Sequence, residues 1–145
     1  MAFYVDRKQW ITSELINWPR LRVYDNCNGA QWLSVADLVY LEGELNYTWL
    51  QFADGRRILV PYTIKRIEAK LPDAWFIRLH RHYLVNRQFI ERVEYNSPRP
   101  IFYLVTGVAL PVSRRRWFIL RRQLDFQRPI NLAKNRVIEP DVAYV

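Results

Sequence analysis

The residues best equipped to do chemistry in this chain are arginines gathered at what read as the ends of structural elements. Arg78, Arg81 and Arg87 surround one pair of strands, and Arg114, Arg115 and Arg116 directly follow another strand. At such boundaries a long side chain projects freely, and a planar guanidinium can grip a phosphate, or the O6 and N7 of a guanine, with two parallel hydrogen bonds. Taken alone, the clusters fit a solvated basic face and a nucleic-acid contact surface equally well. His80 and His82 are spaced to share one face of a strand, as a metal pair would, but a zinc site needs further ligands. Only the distant Cys27 and ordinary carboxylates remain to supply them. No metal is therefore expected, and packing, hydrogen bonding or phosphate contact is the expected use of both histidines. Ser113 with either histidine and a carboxylate would make a nucleophilic set on paper, but a chain of this size contains such a set by accident. The sequence has no glycine-rich phosphate loop, no CxxC pair and no HExxH, so neither an enzyme nor a cofactor is expected.

The whole-chain balance leans the same way as the arginines. Across 145 residues, 22 Lys and Arg stand against 14 Asp and Glu, a formal net charge of +8 that favours polyanionic partners. Arg far outnumbers Lys, which tilts the polyanion toward nucleic acid. Half of the residues are hydrophobic and 15% are aromatic, enough for a globular core without disulfides. The single cysteine gives no sign of an oxidising compartment, and no segment is long and apolar enough for a signal peptide or a membrane span. A soluble cytoplasmic protein without a membrane partner is the expectation.

The elements that must position these residues are mostly strands. From Asp6 a short amphipathic helix with Trp10, Ile11, Leu15 and Trp18 near one face is expected to stop at Pro19. Leu21 to Tyr24 alternates as a strand, and the turn-forming run from Asp25 to Gly29 closes it off. Asp37 to Leu41, Tyr47 to Phe52 and Arg56 to Val60 are rich in β-branched and aromatic residues, with Ala53-Asp54-Gly55 as a hairpin turn. Thr63 to Leu71 changes to helical spacing, with Ile64, Ile67 and Leu71 on one face and Pro72 after it. Strand character returns in Trp75 to Leu79, Tyr83 to Val85, Phe89 to Tyr95, Ile101 to Val105 and Val108 to Val112. Ser113 then caps a basic helix running to Leu124, with Trp117, Leu120 and Leu124 on one face. The tail beyond it is either mobile or docked on a partner.

Several of these segments, taken in order, carry a resemblance. They are Asp37-Leu38-Val39-Tyr40-Leu41-Glu42 followed by Asn46-Tyr47, then the helix ending Lys70-Leu71-Pro72. The run Phe76-Ile77-Arg78-Leu79-His80-Arg81-His82-Tyr83-Leu84-Val85-Asn86 comes next, and then Leu110-Pro111-Val112-Ser113-Arg114. Together they resemble the LytTR DNA-binding family over about ninety residues, and the run from Phe76 to Asn86 is nearly the family signature by itself.

The resemblance implies a mainly β fold: an elongated array of short antiparallel sheets with one small internal helix, here with N-terminal and C-terminal helices added. It implies a bacterial, sequence-specific regulator of transcription whose loops enter successive major grooves of a bent duplex, at direct repeats in promoters. The family's base-reading positions fall here on Asn46 or Tyr47, on Arg81 and on Arg114. Arg81 and Arg114 can each engage a guanine edge, discriminating by about 1 to 3 kcal/mol. Asn46 has the better polar logic at its position, since an aromatic such as Tyr47 at a strand start is more often core. Arg78, His80, His82, Arg87, Ser113, Arg115 and Arg116 are then the candidates for phosphate contact, and Asn86 is left out as a turn-fixing residue.

Two departures from the family pattern stand out. A serine usually occupies the place of His82, and many members couple the domain to a receiver, for which the roughly thirty preceding residues are too few. A stand-alone regulator is therefore expected, with a helix-and-strand extension over residues 1–32, the DNA-binding domain over 33–125 and a tail over 126–145. The extension and the tail are where two copies would pair. The competing reading is a basic module on the same scaffold that binds protein or RNA.

Overall fold

A computed structural model describes residues 2–5, 20–25, 29–95, 99–123 and 126–127. The chain divides into two compact units, residues 13–87 and residues 1–12 with 88–145. The expected helix from Asp6 to Pro19 lies outside the described residues, as does the tail beyond residue 127. The fold is mainly β, with several antiparallel sheets and few helices.

The first unit holds the hairpin of β2 (Arg20–Asp25) and β3 (Gly29–Ser34). It also holds a five-stranded sheet built from β4 (Leu38–Glu44), β5 (Tyr47–Phe52), β6 (Arg57–Val60), β7 (Phe76–His80) and β8 (Tyr83–Asn86), in the order β6-β5-β4-β8-β7. The two-residue period decides which side of β5 and β6 faces inward: Thr48, Leu50 and Phe52 are buried, as are Ile58 and Val60. The β5–β6 turn forms where Ala53-Asp54-Gly55 predicts it. Gly55 takes φ +91, a conformation that suits glycine, and the Asp54 carboxylate accepts from the Arg56 N–H at 2.9 Å.

Helix α1 (Ile64–Glu68) begins at Thr63, whose hydroxyl accepts from the Arg66 N–H at 3.3 Å. Regular helix ends three residues short of the expected Leu71, because the backbone tightens ahead of Pro72. Lys70 and Leu71 donate to Ile67 and Glu68 instead of four residues back. The face read from the spacing is nevertheless the buried one, with Ile64, Ile67 and Leu71 all in the core.

The strand β3 was not expected. Its sequence, Gly-Ala-Gln-Trp-Leu-Ser, has no β-branched residue, and it is a strand because it pairs with β2, bringing Leu33 opposite Leu21. Both leucines are buried.

The second unit is a five-stranded sheet of β1 (Ala2–Val5), β9 (Ile90–Glu94), β10 (Ile101–Leu104), β11 (Ala109–Pro111) and β12 (Phe126–Gln127), in the order β11-β10-β9-β1-β12. Helix α2 (Arg114–Gln123) belongs to the same unit. Trp117 and Leu120 are its buried positions, and the Trp117 ring meets Phe102 edge-on, with centroids 6.2 Å apart. Gly107, at φ +94, makes the tight return between β10 and β11.

Candidate nucleic-acid interface

In the first unit two turns lie side by side at one end of the five-stranded sheet. β4 pairs with β5 as far as Glu44 opposite Tyr47, so Leu45 and Asn46 form the tip of that hairpin. β4 also pairs with β8, with Glu42 opposite Tyr83, which brings the Arg81-His82 turn to the same end. The Gly43 N–H donates to the His82 carbonyl at 2.8 Å and fastens one turn to the other. Helix α1 closes over Gly43, where a Cβ would lie 2.9 Å from Ile64 Cδ1 and would oblige that side chain to shift.

Asn46, Arg81 and His82 are all exposed on these tips. Tyr47, whose place at a strand start favoured a core position, is 43% exposed. Arg81 Nε donates to His82 Nε2 at 3.2 Å, its one side-chain hydrogen bond among the described residues. His80 is half-buried, and its Nδ1 accepts from the His82 N–H at 3.2 Å, so this imidazole shapes the turn.

Arg78 differs from its neighbours. Its side chain is only 15% exposed, and all three guanidinium nitrogens donate inside the protein. Nε reaches the His80 carbonyl at 2.8 Å, Nη2 the Arg81 carbonyl at 2.7 Å, and Nη1 the Glu68 carboxylate at 2.7 Å. A fork of donors that suits phosphate is here used on two successive turn carbonyls and one carboxylate. The geometry makes Arg78 a brace for the turn that carries Arg81.

Arg87 is not part of this end. Asn86 pairs with Phe76 at the start of β7, so Arg87 follows β8 at the opposite end of the sheet from Arg81. Its Nη1 donates to the Ala74 carbonyl at 3.0 Å, and its guanidinium lies over the Trp75 ring, 5.4 Å from the centroid. Asn86 is fully buried and donates to the Leu38 carbonyl at 3.0 Å, tying β8 to the start of β4.

The second unit carries the other basic cluster. The Ser113 hydroxyl accepts from the Arg116 N–H at 3.2 Å and caps α2, which leaves its own hydrogen for an external acceptor. Arg114, Arg115 and Arg116 are all exposed in the first turn, where no acidic residue accompanies them. Cations at a helix N-terminus oppose the macrodipole, by about 0.3 to 1 kcal/mol each. Three of them there work against helix stability and in favour of holding an anion. Among the described residues, no group of three or more His, Cys, Asp or Glu could hold a metal ion, and no helix is long and apolar enough to cross a membrane.

Two features of this end were not singled out from the sequence. Gly43 carries the usual mark of close backbone approach, a glycine inside a strand pattern. Leu45, 92% exposed at the hairpin tip, breaks the usual turn chemistry, and that was its signal.

A five-stranded sheet with the Arg81 turn beside a second turn at one end and, in the other unit, a capped helix opening on three arginines fit a β-rich nucleic-acid-binding module. The chain belongs to the LytTR family, since the family model described as the LytTr DNA-binding domain matches residues 30–125. This is a family of DNA-binding domains rather than of enzymes, and its function is DNA-binding regulation of transcription. The structure is similar to the LytTr DNA-binding domain of a putative methyl-accepting/DNA response regulator from Bacillus cereus. The TM-score is 0.63 at 21% identity, over 72% of this chain and 94% of that one. In sequence the chain is similar to the sensory transduction protein LytT of Bacillus subtilis (strain 168), 34% identical over 80 residues. Those residues are 54% of this chain and 32% of that protein, so the chain spans about a third of the relative it matches.

Proposed function

We propose that this protein is a cytoplasmic transcription regulator that reads duplex DNA sequence-specifically at promoter direct repeats, with residues 33–125 as the DNA-binding part. Asn46, Tyr47, Arg81 and Arg114 contact base edges, the two arginines by paired hydrogen bonds to guanine. His82, His80, Ser113, Arg115 and Arg116 contact phosphates, which orient the protein without reading sequence. Arg78 is assigned to positioning, and Arg87, turned toward Trp75 at the far end of its sheet, is assigned to structure. Direct repeats bring two copies onto DNA without a dimer in solution, and pairing through residues 1–32 or the tail would add to that. The observation that supports the reading most is the fastening of the Asn46 and Arg81 tips to one another through the Gly43–His82 hydrogen bond. Two base-reading side chains must be held in fixed relation for their preferences to combine.

The test is selection from a random duplex pool near physiological salt, followed by titration of variants. An enriched short motif, spaced as a direct repeat, is the expected result. Arg81→Ala and Arg114→Ala should lower the preference for that motif more than non-specific binding, whereas Arg115→Ala should weaken all duplexes alike. Equal losses in all three would leave only a basic face, and preference for single strands or RNA would move the function to an interaction module.

A further inference from the structure

Leu45 sits where local chemistry would not put a leucine. It is the one described residue other than glycine with a positive φ, at +57, in the left-handed region that turns ordinarily fill with Gly, Asn or Asp. It is also 92% exposed, so the side chain recovers nothing by burial. An isolated surface leucine needs no explanation, but here a backbone penalty and an exposure penalty fall on one residue at the tip of a two-residue turn. Residues held against both preferences collect at functional sites. Its setting narrows what it meets. Asn46 and Tyr47 follow it, and the neighbouring turn presents Arg81 and His82. The acidic neighbour Glu44 is drawn along β5, accepting from Trp49 Nε1 at 3.2 Å.

We infer that Leu45 is a specificity-determining residue that packs on the C5-methyl group of a thymine in the major groove. The inference rests on the base-reading function proposed above. A leucine has no donor for phosphate and none for a base edge, and the thymine methyl is the apolar feature the major groove offers. The polar tips around it supply the hydrogen bonds, and Leu45 adds the one contact that separates thymine from cytosine at its position.

The probe is the selected operator with each thymine replaced in turn by deoxyuridine, which lacks only the methyl group. The full chain and its Leu45→Ala and Leu45→Gly variants are titrated against the series. The natural protein should lose about fourfold in affinity at one thymine, the worth of one buried methyl group. Both variants should bind the thymine operator at least that much more weakly and show no further loss when that thymine becomes uracil. Leu45→Gly should unfold at the same or higher denaturant concentration, since glycine accepts the left-handed backbone, so lost folding would not explain its weaker binding. A natural protein indifferent to every replacement overturns the inference, and so do variants that still discriminate thymine from uracil. In either case an enriched operator leaves base reading itself standing. If no motif is enriched at all, base reading fails and the inference fails with it.

Discussion

Replacing Arg78 with Met separates a positioning arginine from a phosphate-contacting one. Methionine keeps much of the length and apolar stem but removes all five donors. Three hydrogen bonds disappear: to the His80 carbonyl at 2.8 Å, the Arg81 carbonyl at 2.7 Å and Glu68 at 2.7 Å. Hydrogen bonds from a charged donor are worth about 1.5 to 3 kcal/mol each. The Glu68 side chain is 36% exposed, which puts that ion pair near the surface range of about 0.2 to 1 kcal/mol. The two turn carbonyls regain water in the variant, so the summed loss is about 2 to 4 kcal/mol, read as a lower urea midpoint. Operator binding must then order two turn residues that Arg78 had already fixed, at about 1 to 2 kcal/mol each, which weakens affinity by roughly thirtyfold to a thousandfold. The salt dependence is the discriminating measurement. No phosphate contact is lost, so the slope of log K against log salt should stay as in the natural protein, while Arg115→Ala should flatten it by about 0.9. Fluorescence anisotropy at four or five salt concentrations gives the slope. A flattened slope with an unchanged urea midpoint would place Arg78 on a phosphate and refute the brace.

Two further changes test the fold around this end. Gly43→Ala sets a Cβ 2.9 Å from Ile64 Cδ1 and should cost about 1 to 3 kcal/mol, with Ile64→Val restoring part of the loss; strictly additive urea midpoints would show that α1 does not press on the glycine. Burial and, after it, the charge of Glu42 raise the phenol pKa of Tyr83 and of Tyr40 above the ordinary value of 10.0. A raised folded-state pKa contributes stability that is fully present below the unfolded value and is lost as pH climbs through the folded one, so stability should hold to about pH 9 and fall above 10. Glu42→Gln should shrink that fall in urea melts at pH 8 and pH 11, and an undiminished fall would remove Glu42 from the account.

How much was legible in the sequence depends on how local each signal is. The alternation in β5, the 64/67/71 face of α1 and the Ala53-Asp54-Gly55 turn are set by neighbours within a few residues, and all three are present in the fold. The strands β3 and β1 were not legible, because what makes them strands is the ladder they join: Leu33 opposite Leu21, and Phe3 opposite Val93. The site divides the same way. Arginines at element boundaries could be nominated from sequence, but Arg78, Arg81 and Arg87 looked alike there. A strict two-residue period would set Arg78, His80 and His82 on one face, yet the register shifts between Arg78 and His80, and the guanidinium folds back over the turn. What turns it inward is Glu68, brought alongside by α1 from ten residues earlier, together with two carbonyls that converge only once the turn has closed. Arg81, three residues on and exposed, donates among the described residues only from Nε, to His82. The acceptors nearby therefore decide which arginine holds the turn and which one the turn presents. For the same reason Arg78→Met and Arg81→Ala should fail in different ways on the same operator.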